Sequence, residues 1–116
     1  MACPAAEFAP FLEAFAERAD VQRACTRSPL VQRHLDKSAS PEPAPVETQL
    51  PLQKVSFPVF PNAEERGRQG RSLKVRELTS DRATVVVAQE DTDFQTVFLF
   101  ERGECWRLVL VDDQSL

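Results

Sequence analysis

The chain predicts an α+β fold in which N-terminal helices pack on an antiparallel sheet ending in a four-strand meander. Two observations carry this. Phe8, Phe11, Leu12 and Phe15 stand at i, i+3, i+4 and i+7, a spacing that gathers them on one face of a helix. From Leu73 to Leu116 the pattern changes to short apolar runs parted by tight polar turns, as in half-buried strands joined as hairpins.

The first helix runs from Glu7 to Ala19, with Pro10 in its first turn, where a missing N–H costs nothing. Asp20 is a candidate cap for a second short helix, Val21 to Arg27, which Pro29 ends or bends. Residues 1–6 read as an N-terminal tether and residues 36–46, with three alternating prolines, as an exposed connector. Gln49 to Phe60 alternates like a strand, and its prolines confine it to an edge or break it around a bulge. Residues 62–72, with two glycines and five charges among Glu64, Glu65, Arg66, Arg68 and Arg71, read as a mobile charged loop.

The meander comprises Leu73 to Leu78, Ala83 to Gln89, Phe94 to Glu101 and Cys105 to Asp112, joined by three polar turns. On its third strand Phe94, Thr96, Phe98 and Phe100 share a face. On the fourth, Trp106, Leu108 and Leu110 do. Those faces form the core under the phenylalanines of the first helix. The opposite stripe of Val97, Leu99, Val109 and Val111 is then an apolar patch too large to leave bare. It is the candidate partner-binding face, used for a protein partner or for self-association.

Length and composition bound the function. One domain spanning residues 1–116 suits this size. A net charge of −4 gives nucleic acid no general attraction, because phosphate binding needs clustered Lys and Arg. The longest apolar run is far short of the roughly 20 residues that cross a bilayer. Cys3, Cys25 and Cys105 leave one thiol over if a disulfide forms. Cys3 lies where a bacterial lipoprotein carries its acylated cysteine once the signal peptide is gone. It is therefore the candidate for lipid attachment, the one link to a membrane, and Cys25 and Cys105 become a candidate disulfide. The competing reading is a cytosolic protein with three reduced thiols. A periplasmic or outer-membrane-anchored location is the expectation carried forward.

Chemistry-bearing residues are sparse. His34 is the sole histidine and reads as exposed or capping. The cysteines lack the paired spacing of a zinc site, so no metal is expected. Gly67-Arg68-Gln69-Gly70 is not framed as a phosphate loop, and no cofactor is expected. Glu90, Asp91 and Asp93 form an acidic hairpin tip, and Asp112 and Asp113 read as residues that end the last strand. No catalytic residue is assigned.

In order of elements, and in the ending Trp106, Leu108, Val109 and Asp112, the chain resembles the cystatin-like roll of the nuclear transport factor 2-like superfamily. Its Phe8-x-x-Phe11 helix is similar to that of small secreted bacterial members. The resemblance implies a roll in which the N-terminal helices cover a strongly curved antiparallel sheet. The Tyr and Asp constellation of the isomerase members and the His-Asp pair of the dehydratase members find no match. Two function classes remain, and the missing His, Tyr and metal pairs favour the first. One is a non-catalytic protein-binding module of the bacterial cell envelope, of inhibitor or immunity type. The other is a small-molecule-binding or enzymatic roll with a pocket between helix and sheet. A polar-lined cavity of several hundred Å³ open to solvent favours the second.

Overall fold

The computed structural model describes residues 3–115. Of the tether expected over residues 1–6, the first two lie outside the described residues. Helix α1 (Phe8–Glu17) and helix α2 (Ala19–Ala24) precede two strands, β1 (Thr26–Asp36) and β2 (Ala44–Leu50). After a 3₁₀ turn (Leu52–Lys54) and an irregular segment comes helix α3 (Ala63–Gln69). The meander is built of β3 (Arg71–Leu78), β4 (Arg82–Gln89), β5 (Gln95–Arg102) and β6 (Trp106–Asp113).

All six strands join one sheet in the order β2-β1-β6-β5-β4-β3. The meander is antiparallel throughout, as its turns predict. The sheet as a whole is mixed, because β1 runs parallel to β6. Several expectations change here. The second helix stops at Ala24, with Asp20 in its first turn and ion-paired to Arg18 at 2.7 Å instead of capping. Thr26 onward is strand, not the tail of that helix. The connector expected over residues 36–46 shrinks to a turn held by Ser38, since β1 reaches Asp36 and β2 begins at Ala44. The strand expected over Gln49 to Phe60 is only the end of β2. Pro51 and Pro58 withhold ladder donors beyond it, and the chain leaves the sheet.

Residues 62–72 are not a loop but are built around α3. Asn62 caps it by accepting from the Glu65 N–H at 2.8 Å, and Glu64 and Glu65 occupy its first turn. Gly70 ends it at φ 67°, a conformation that favours glycine. Glu17 of α1 also accepts from the Ala63 N–H at 2.9 Å, tying the two helices together.

One hydrophobic core lies between the sheet and α1. Phe8, Phe11, Leu12 and Phe15 enter it with Val85, Phe98, Phe100, Trp106 and Leu108. Phe100 is the hub: the rings of Phe8, Phe11 and Phe15 stand edge-on to it at 5.4, 5.8 and 5.3 Å. Such pairs add about 0.5–1.5 kcal/mol each beyond area burial.

Strand β6 departs from simple alternation. Leu99 pairs with Leu110 but Phe100 pairs with Leu108, so Val109 is an extra residue at a bulge. The bulge exchanges the faces of the residues after it. Val111 lies opposite Phe98 and packs against the core, where Leu110 was expected.

Candidate functional site: a cavity at the open end of the roll

Helix α1 covers only part of the core face of the sheet. Beyond Phe60 the sheet and the segment Pro58–Pro61 enclose a cavity of about 430 Å³ that opens to solvent. Strand order explains its layout. Val111, Phe98, Thr96 and Val87, from the consecutive inner strands β6, β5 and β4, make the floor. Gln32 and His34 of β1 stand along one wall, and Arg71 of β3 along the other.

The roof is held by one buried side chain. Gln22 of α2, 1% exposed, accepts from the N–H groups of Val59 and Phe60 at 2.7 and 3.2 Å. Its amide NH₂ donates to the Phe60 carbonyl at 3.0 Å. One side chain thus satisfies three main-chain groups of a segment that has no strand partner, as buried backbone requires. Anchored this way, the Phe60 ring sits 4.6 Å from that of Phe98 and closes the cavity on the core side.

Arg71 dominates the electrostatics of its wall. As the first residue of β3, directly after Gly70, it lays its guanidinium over the Phe94 ring, 3.7 Å from the centroid. Stacking of this kind stabilises a cation and fixes its plane. Its Nε is buried and has no hydrogen-bond partner, alone in this among the buried side-chain polar atoms described. Glu65 and Asp113 also line the cavity, yet neither reaches Arg71 within ion-pairing distance among the described residues. On the opposite wall His34 pairs in register with Asp113, and Gln32 with Val111. Arg33, at the rim, is engaged by Glu47 at 2.7 Å.

The residues singled out in the sequence fall out differently. Cys105 is bonded to Cys3, with Cα atoms 5.3 Å apart, and not to Cys25. The N-terminal segment makes this possible: Trp106 donates its indole N–H to the Ala6 carbonyl at 3.1 Å, and Ala5 packs on the core, so residues 3–6 are tied down, not a tether. Cys25 turns its main chain towards β6, its carbonyl accepting from Leu108 N–H at 2.7 Å, while its side chain joins the core. That burial pushes the Cys25 thiol above its ordinary pKa. Cys25 and Cys105 do line one surface cleft, so the sequence brought together the right neighbours and bonded the wrong pair. A Cys3 sulfur held by Cys105 is not free for a lipid, so disulfide and acyl anchor exclude each other at that residue.

The stripe of Val97, Leu99, Val109 and Val111 is not one exposed face. Val111 belongs to the core side, Val97 and Val109 are buried at 6% and 2% exposure, and Leu99 is half-buried. Among the described residues the exposed large apolar side chains are Val46 on β2 and Val75 and Leu78 on β3, the two edge strands. His34 is exposed, as expected, but it lines the cavity. Asp112 and Asp113 do not end pairing: they bridge β5 and β1 at the close of β6. Among the described residues no three His, Cys, Asp or Glu side chains gather as a metal site.

Sequence reasoning placed Phe94, Thr96 and Phe98 on the correct face. It missed Gln22, Gln32, Arg71 and the roof. A readable signal existed for Arg71. Asn62, with Glu65 three residues on and Gly70 at the far end, is a cap-to-cap helix signature that fixes where β3 must start.

No protein-family model matches the sequence, and no curated protein matches it. Among solved structures the fold is similar to that of an NTF2-like protein from Bacteroides fragilis, with a TM-score of 0.69 and 20% identity over 95% of this chain. The fold is therefore NTF2-like. The chain spans about half of that protein, 47% of its length.

Proposed function

We propose that this protein binds a small organic molecule in the cavity beneath Pro58–Pro61. The observation that carries the reading is the cavity itself: about 430 Å³, with Val87, Thr96, Phe98 and Val111 on its floor and Gln32, His34, Glu65, Arg71 and Asp113 around it. Ligand pockets combine an apolar lining with a few placed polar groups in this way, in volumes of roughly 300–1,000 Å³. Partner binding through the outer sheet face has less behind it, since two of its four valine and leucine positions are buried and a third faces the core. The Cys3–Cys105 disulfide supports work in an oxidising compartment such as the periplasm.

The test is a panel of small ring-containing fragments followed by amide chemical-shift mapping. Shifts are expected at Thr96, Phe98 and Val111. They should vanish in Thr96→Trp, whose indole fills the floor, with near-UV circular dichroism checking that the variant is folded. Shifts confined to other surfaces, or persisting in Thr96→Trp, overturn the proposal.

A further inference from the structure

Resting on that reading, we infer that the ligand is an organic oxyanion, a carboxylate on a flat apolar body, whose charge is met by Arg71. An unmet bonding requirement is the starting point. A buried N–H without an acceptor is unfavourable, and more so on a charged group. Arg71 Nε is in that state, shut off from solvent and so from a ligand as well, while Arg71 lines the cavity wall and makes no side-chain hydrogen bond or ion pair among the described residues. No carboxylate of the described residues relieves it: Glu65 and Asp113 line the same cavity outside ion-pairing reach, and Asp113 stands on β6, with β5 and β4 between it and β3. Asp113 is also occupied, accepting from the Ser115 N–H at 3.0 Å.

Geometry sets the ligand's shape. Phe94 lies under the guanidinium with Cζ 3.7 Å from its ring centroid, a contact that restricts the side chain and so lowers the freedom lost when a planar carboxylate docks against it. Next to this point the space lies between the floor of Phe98, Val87 and Val111 and the Pro58–Pro61 roof, where an apolar ring finds side chains to pack against. The far wall offers the Gln32 amide and the His34 imidazole, neither in a hydrogen bond among the described residues. These suit a hydroxyl or carbonyl at the other end of the ligand. Glu65 and Asp113 disfavour a second negative charge, so a monoanion fits better than a dianion.

The experiment uses the folded full chain and three matched pairs: benzoate, 2-naphthoate and indole-3-carboxylate, each against its carboxamide, by titration calorimetry. For at least one pair the carboxylate is expected to bind about tenfold tighter or more, a ratio within what a charge-assisted hydrogen bond supplies. Arg71→Met should bring carboxylate affinity down to that of the matched amide measured in the same variant. Arg71→Lys should recover only part of the preference, since an ammonium keeps the charge without the planar fork. Equal affinities within every pair, or a carboxylate preference that survives Arg71→Met, overturn the oxyanion assignment and leave cavity binding standing. Binding of no pair member overturns the oxyanion assignment, and the fragment panel with Thr96→Trp decides cavity binding separately.

Discussion

The two ends of the roll share one sheet and one run of alternating phenylalanines, yet one end is solid and the other hollow. At the closed end Phe100 is fully buried under Phe8, Phe11 and Phe15, and the Cys3–Cys105 bond and the Trp106–Ala6 hydrogen bond pin the chain terminus beside it. At the open end Phe94, six residues earlier and on the same face, is half-buried against an arginine and a cavity. The strands do not make the difference; the cover does. A ten-residue amphipathic helix supplies a phenylalanine at every turn, whereas the proline-rich segment over the other end can neither pair as a strand nor pack as a helix. It bridges instead, and leaves space.

Truncating one ring at each end breaks that comparison most sharply. Phe100→Ala should lower unfolding free energy by about 3–5 kcal/mol, the usual cost of emptying a filled core site. Phe94→Ala removes the same ring but should cost no more than about 1–2 kcal/mol, given the smaller area withdrawn from water. Urea denaturation of both variants decides it. Equal losses would mean that the two ends are packed alike.

The disulfide offers the next contrast. Cys3→Ser opens a crosslink spanning 102 residues and is expected to cost about 2–4 kcal/mol. It should leave ligand affinity unchanged, because Cys105 precedes β6 and the cavity lies at the opposite end of that strand. Loss of binding in this variant would show that the ends are coupled.

The last contrast concerns the roof. Gln22→Leu strips three main-chain groups of Val59 and Phe60 of their partner and should cost about 1–3 kcal/mol for each of them that water does not reach. Hydrogen exchange should quicken at the Val59 and Phe60 amides while the Phe100 amide stays protected. Uniform acceleration would instead place Gln22 in the global fold.

How far the sequence reached differs between the halves for a physical reason. The meander was legible because each strand pairs with the next one, so alternation and turn chemistry settle register locally. The bulge at Val109 was not, and it moved Val111 from the expected binding stripe to the core face. Strand β1 hid for a related reason: between Thr26 and Val31 its register against β6 slips, so Leu30 and Val31 never show an alternating pattern. The cavity was the least legible feature, since its walls come from β1 and β3, which lie far apart in the sheet, and its roof from a segment whose place depends on one glutamine of α2.

By itself the sequence determined the amphipathic helix, the four-strand ending and the phenylalanine face between them, because helical and strand periods are properties of neighbouring residues. Only the tertiary structure decided that β1 lies parallel to β6, that Cys3 and not Cys25 meets Cys105, and that Arg71 reaches Phe94 with its Nε unpaired. Each of those depends on contacts between segments distant in the chain, and no local period encodes which distant segment arrives.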